Sequence, residues 1–395
     1  MRILAIASGM SALEPSQVSE AFLAGWAQAR PNDDISIFPS SEGALIGNRS
    51  SGLLDLYESY WNVLPHSSSA SCDVYLGKKK VELPTGAKSS VLSRGIIDLA
   101  SSMTWREDGN LPLASTEFLG HALKNLIGIQ VDEIHLHLPR FSAASDLGIA
   151  LLSVFAPTPL SFDADVDVAS LTVALNCFYT ALDGIRVIVT YAEGQELRGV
   201  SGMAKAWNDR GVTGDAAQDF ERHAGAWIHA MKRVAVGTRH TKNKIVALGD
   251  APSSDLKNFS GVGGGLGFLF DKIGAETWML SEFVLRGGIY SDLDIAAQIS
   301  KADAVFYLTS VIGEAIPRGL TLVSELCENY GIALILISES AGLRKGDLPR
   351  FGLAGSYDVD SGRQWLEQGV FDPKRVVPAG SVEELTKRVA HTWGW

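Results

Sequence analysis

Residues 261–267 read Gly261-Val262-Gly263-Gly264-Gly265-Leu266-Gly267, and the apolar run FLF and then DKIGA follow. Backbone without Cβ atoms can approach an anion closely, and a helix starting after such a loop adds inward N–H groups and a favourable dipole. That chemistry suits a phosphate or a carboxylate. The run is not a P-loop, because no G-K-[ST] follows, and no strand clearly precedes it as a dinucleotide fingerprint requires. A tight turn where helix and sheet pack closely accounts for the same spacing.

A second cluster, SAASDLG from Ser142 to Gly148, comes directly after the strand-like DEIHLHL. Ser142 or Ser145 can cap a helix there, with Asp146 favoured by the dipole of the first turn. The functional alternative places Ser142 and Asp146 at the carboxyl end of a strand, where open α/β sheets bind ligands. His135 and His137 alternate on that strand and share a face, but no third ligand with metal spacing lies nearby, so no metal site is expected. The run Lys232, Arg233, Arg239, Lys242, Lys244 fits a solvated helix end. It is also the one stretch where an anionic partner could dock.

The elements that must position these residues follow from periodicity. Ile3 to Ala7 is a strand-sized apolar run, Val18, Phe22, Gly25, Trp26 and Ala29 recur at helical spacing, and ISIF supplies a second strand. The C-terminal third repeats this grammar: ADAVFYL, then a helix ending at Gly331, then IALILIS, and finally SVEELTKRVAHTW, with Ser381 and Glu384 in capping-box spacing. Continuous apolar strands between amphipathic helices mean a parallel sheet covered on both faces. The middle differs. The Ser-rich PHSSSAS from Pro65 reads as a linker, short strand-like pieces CDVYLG and KKKVELP follow, and Phe220, Ala224, Trp227 and Met231 make an apolar stripe on a long helix. The expected fold class is α/β. A doubly wound parallel-sheet domain comes from both chain ends (1–67 and 281–395), with a second α/β domain inserted at 68–280.

The chain has 395 residues and a net charge of -11, from 34 Lys plus Arg against 45 Asp plus Glu. Apolar residues at 46% and charged residues at 20% describe a globular chain long enough for two or three domains. The acidic balance disfavours a general phosphate-backbone binder, so no nucleic-acid partner is expected, while a local basic pocket for one small anion stays open. Cys72, Cys177 and Cys327 are too few and too scattered for a disulfide framework, and no apolar run is long enough for a signal core or a bilayer span. The expectation is a cytoplasmic protein that neither inserts into nor crosses a membrane.

Taken in order, SALEPSQVSEAFLAGW, IFPSSEG, IIDLASSMTW, STEFLGHAL, FSAASDLG, RGVSGMAKAW and GVGGGLGFLFDKIGAE resemble the type 1 glycerate kinase family over nearly the whole chain. The resemblance implies phosphoryl transfer from ATP to D-glycerate or a related hydroxy acid, with ATP and Mg2+ as cofactors and a site between two discontinuous domains. Carried over residue by residue, it is uneven. In the family's P-D-S-x-K loop Ser8 matches the serine, but Ala7 replaces the aspartate and Met10 the lysine. In A-D-G-G-E-G-T the first acid survives as Glu42 and the second becomes Leu45, while G-G-S-A-T-N-D-G-G retains Ser142, Asp146 and Gly148. Ala192 stands on the aspartate of A-C-D-V, and the late T-G-E-G-R-x-D-x-Q motif has dissolved into LTSVIGEAIPRG, leaving Arg318 opposite a lysine. Asp98 and Glu117 match acidic positions. The resemblance thus implies Asp146, Glu42 and Arg318 as catalytic residues. Ser8, Ser142 and the glycines Gly261, Gly263, Gly264, Gly265 and Gly267 would hold substrate or cofactor. The lost lysine and carboxylates motivate the alternative of a degenerate member acting as a binding or regulatory module.

Overall fold

The computed structural model describes residues 1–10, 12–43, 51–69, 72–82, 89–105, 109–234, 254–290, 294–312, 316–341, 343–359 and 376–393. Its strands, in chain order, are β1 (Arg2–Ala7), β2 (Asp34–Pro39), β3 (Asn62–Ser69), β4 (Cys72–Glu82), β5 (Ser89–Asp98), β6 (Glu133–Leu138), β7 (Arg186–Tyr191), β8 (Glu276–Met279), β9 (Ala304–Val311), β10 (Ala333–Ser340) and β11 (Gly355–Asp358). The chain divides into two compact units, Met1–Tyr60 with Met279–Trp395, and Trp61–Trp278.

The unit built from the chain ends holds a five-stranded sheet in the order β11-β10-β9-β1-β2, parallel at every pairing. Its strands are apolar runs because a parallel sheet is covered on both faces, and every residue of β9 is buried. One face packs Ile3, Ala5, Phe306 and Ile335 against Phe22 and Trp26 of the helix Pro15–Ala29 and Val382 and Val389 of the helix Ala379–Trp393. The first of these helices starts cleanly. Proline occupies its first turn, and Glu14 and Gln17 exchange side-chain-to-backbone hydrogen bonds in a capping box. The two helices approach so closely at Gly25 that a Cβ there would lie 2.2 Å from the Glu383 carbonyl oxygen.

One expectation for this unit is corrected. The helix Ala379–Trp393 begins before Ser381, so the Ser381 and Glu384 spacing lies inside the helix and is not its cap. The family's lysine position, Met10, is fully buried in the apolar cluster with Ala7 and Val18.

The unit Trp61–Trp278 holds a six-stranded sheet in the order β3-β4-β5-β6-β7-β8. β3, β4 and β5 pair antiparallel, whereas β5, β6 and β7 are parallel. The Ser-rich stretch read as a linker belongs instead to β3, hydrogen-bonded along β4 with a bulge between Pro65 and Ser67. The division between units therefore falls after Tyr60 and not after residue 67. CDVYLG and KKKVE form one continuous strand, because β5 offers an unbroken ladder from Val74 to Glu82. The stripe Phe220, Ala224, Trp227 and Met231 is buried along the helix Gly214–Arg233, as its spacing predicts.

Gly25→Ala is expected to cost about 2 kcal/mol, because the two helices cannot separate locally without opening the apolar face beneath them. Chemical denaturation of the variant beside the parent protein measures this directly.

Candidate functional site

The carboxyl edge of the five-stranded sheet is polar where the strand bodies are apolar. Ser8 follows β1, Ser40, Ser41 and Glu42 follow β2, Thr309 and Ser310 lie near the end of β9, and Ser338, Glu339 and Ser340 end β10, all of them buried. The strand order reverses direction at β1 and β9, since β2 lies on one side of β1 and β9 to β11 on the other. Open α/β sheets bind ligands outside such a switch point, where the loops diverge.

Glu42 is the centre of this edge. Its carboxyl group accepts a hydrogen bond from Tyr307 Oη at 2.6 Å and another from the Thr309 hydroxyl. Both donors are on β9, so the side chain spans the end of β1. Burial pushes the Glu42 carboxyl up to about 7, against the opposing pull of the two hydrogen bonds. Burial first, and the Glu42 charge second, raise the Tyr307 phenol well above its ordinary value. The Ser8 N–H donates to the Leu308 carbonyl at 2.9 Å, while the buried Ser8 hydroxyl finds no hydrogen-bond partner among the described residues. Ser40 Oγ has no hydrogen-bond partner among the described residues.

Arg318 opens the helix Arg318–Tyr330, whose next residue, Gly319, packs so tightly that a Cβ would sit 2.5 Å from Tyr307 Oη. The Arg318 guanidinium is partly exposed and faces Glu282 at 3.9 Å and Glu325 at 3.6 Å. The same unit thus contains Glu42, Ser8 and Arg318. Sequence reasoning missed Tyr307, Thr309, Ser310 and Glu339. Their signal was present as hydroxyls and a carboxylate ending two apolar strand runs. Ala44, Leu45, Ile46 and Gly47 lie outside the described residues.

In the other unit the two motifs singled out from sequence meet. The Gly263 N–H donates to the Pro139 carbonyl at 2.8 Å, and a Cβ on Gly264, which has φ +72°, would lie 1.8 Å from the Ala144 carbonyl oxygen. Gly261 donates to Gln195 O at 2.7 Å and Gly265 to Gly261 O at 3.2 Å, while a Cβ on Gly267 would meet Phe259 O at 2.0 Å. The cradle expected at Gly261, Gly263, Gly264, Gly265 and Gly267 is corrected to this extent: three of its N–H donors are spent on protein carbonyls. Close backbone contact between this loop and its neighbours accounts for the glycines.

Ser142 and Asp146 do not cap a helix in the way their spacing suggests. Leu147 and Gly148 adopt positive φ of 56° and 77°, so the helix starts only at Ile149. Ser142 Oγ accepts from the Ala144 N–H at 3.1 Å, and Ser145 donates to Pro112 O at 2.5 Å. Asp146 accepts from the Thr116 N–H at 3.0 Å, the Thr116 hydroxyl at 2.9 Å and the Gly148 N–H at 3.1 Å. Burial raises its carboxyl and those hydrogen bonds oppose the shift.

His135 and His137 are fully buried on β6, and the Thr190 hydroxyl lies 2.7 Å from His135 Nε2 and 3.0 Å from His137 Nδ1. Burial holds both rings neutral by lowering their affinity for a proton. Among the described residues no three His, Cys, Asp or Glu side chains gather as metal ligands. Lys232 of the basic run pairs with Asp255, and Arg239, Lys242 and Lys244 lie outside the described residues.

Comparison with solved structures matches this chain to the crystal structure of "putative glycerate kinase 2" from Salmonella typhimurium LT2, with a TM-score of 0.62. The match covers 99% of this chain and 98% of that one at 15% sequence identity. The chain has a glycerate kinase-like fold. No protein-family model matches the sequence, and no curated protein matches it by sequence comparison. The glycerate kinase-like fold agrees with the segment order, which runs from the first strand to the glycine loop. No helix among the described residues is long and apolar enough to cross a membrane.

Because Glu42 binds its proton more tightly folded than unfolded, the native state holds an extra proton between pH 4.5 and about 7. Stability from this group therefore falls as pH rises through that window, by about 3 kcal/mol in total. Glu42→Gln should flatten that part of the curve, measured by urea denaturation at half-unit pH steps. Gly264→Ala should lower the melting temperature by several degrees, since it meets both a positive φ and a carbonyl oxygen, and calorimetry reads the change.

Proposed function

We propose that this protein is an ATP-dependent phosphotransferase acting on a hydroxyl group of a small hydroxy acid, D-glycerate or a close relative. The observation that carries the reading is the Glu42 carboxyl, buried at the switch point of a glycerate kinase-like fold and poised near neutral pH. A general base works best when its proton affinity is close to the ambient pH. In the reaction the substrate hydroxyl loses its proton to the ionised Glu42, its oxygen forms a bond to the γ-phosphorus, and the bond from that phosphorus to the bridging oxygen breaks. ADP leaves with the electron pair.

Tyr307 and Thr309 orient the base and steady its charge after proton loss. Arg318 supplies the cation in this unit best suited to a carboxylate or phosphate, since a guanidinium presents paired donors and carries its charge at any physiological pH. Mg2+, when bound with the nucleotide, would supply charge neutralisation to the phosphates.

A second reading, a catalytically degenerate member that binds or regulates, is favoured by Met10 buried in the apolar cluster and by the three engaged N–H donors of the glycine loop. Purified protein with Mg-ATP and D-glycerate separates the two. Phosphotransfer predicts ADP release above a mock purification, a rate that climbs as pH passes about 7, and a loss of at least ~100-fold in Glu42→Gln. Absence of ADP release selects the second reading, under which Asp146→Ala leaves the cellular role intact.

A further inference from the structure

A cavity of about 550 Å3 lies within the unit Trp61–Trp278, and Asp146 lines it. Pockets of a few hundred Å3 with an apolar wall and a few converging polar groups are the usual form of small-molecule sites. Pro112, Ala150, Leu160, Phe162 and Phe220 supply apolar wall. Three carboxylates, Asp146, Asp163 and Asp219, share the lining, and no lysine or arginine is among the described residues that line it.

The wall is braced. The Phe162 carbonyl accepts from Trp227 Nε1 at 2.9 Å and from the His223 ring at Nε2. Leu160 N–H donates to Ser153 Oγ at 2.9 Å, and Phe162 stands edge-on to His223 at 4.8 Å and tilted to Phe220 at 6.0 Å. Thr116 and Gly148 hold the Asp146 carboxylate through their N–H groups. Asp219 also faces Arg222 at 3.0 Å, but both are exposed, and such a pair gives way at little cost.

Aromatic faces and carboxylates, with no lysine or arginine among the described lining residues and only the exposed Asp219–Arg222 pair nearby, form one kind of receptor. A hydroxy acid carries a carboxylate, and this lining repels it. We propose that the cavity binds an organic cation with an apolar body, an arylalkylammonium in which the ring lies among Phe162, Phe220 and Leu160 and the ammonium meets the aspartates. Attraction between a cation and aromatic faces adds to the carboxylate charge, and the two together select against an anion of the same shape. The site is separate in chemistry from the phosphotransfer reading at Glu42, and binding does not require turnover.

The test is calorimetric titration of the intact protein with 2-phenylethylammonium, beside 3-phenylpropionate as the matched anion. The expected result is saturable binding of the ammonium at least 10-fold tighter than that of the propionate, weakening as salt is raised. The double variant Asp163→Asn with Asp219→Asn, both at exposed positions, should lose at least 10-fold in ammonium affinity. Phe162→Leu should lose about 5-fold with a native circular dichroism spectrum. Equal affinity for the two probes, no heat with the ammonium at 10 millimolar (about the weakest binding such a titration resolves), or unchanged affinity in the double variant overturns the proposal.

Discussion

β1 is hydrogen-bonded on one side to β2, some thirty residues away, and on the other to β9, which begins at Ala304. This pairing is the constraint from which the rest of that unit follows. A parallel neighbour cannot be reached by a tight turn, so each pairing needs a crossover, and the crossover between β2 and β9 is long enough to carry the whole unit Trp61–Trp278. Placing β1 between strands from opposite chain ends also reverses the strand order there. The loops after β1 and β2 diverge from those after β9 and β10, and the polar edge occupies that gap.

The edge runs against the stability of the fold. Charged Glu42 in a buried position is unfavourable, and the two hydroxyls that reach it recover only part of what water would provide. An apolar side chain in place of Glu42 would leave the buried Tyr307 and Thr309 hydroxyls without their acceptor. The carboxyl group stands beside Tyr307 and Thr309 at the end of the sheet where open α/β sheets bind ligands.

The other unit spends its unusual residues differently. Glycines at 261–267 let one loop lie against the Pro139 to Leu147 segment with backbone touching backbone, and positive φ at Leu147 and Gly148 delays the following helix. Asp146 is consequently held by Thr116 and Gly148 in a loop, not laid along a helix. The same displacement makes it part of a cavity wall.

Much of this was legible in the sequence. Apolar runs of strand length and stripes at helical spacing are local properties, so β1, β2, β9, β10 and the long helices could be read directly, and the likeness of the two chain ends implied a shared sheet. Composition misled only where local character was weak: the serines of β3 look like a linker because the ladder that makes them a strand belongs to β4. Proton affinity and donor availability were not legible at all. Glu42 meets Tyr307 across 265 residues of chain, the Gly263 N–H finds its carbonyl at Pro139, and Met10 turns into an apolar cluster instead of toward a ligand. Each depends on which distant atoms exclude water or accept a proton, and only the folded chain brings those atoms within reach.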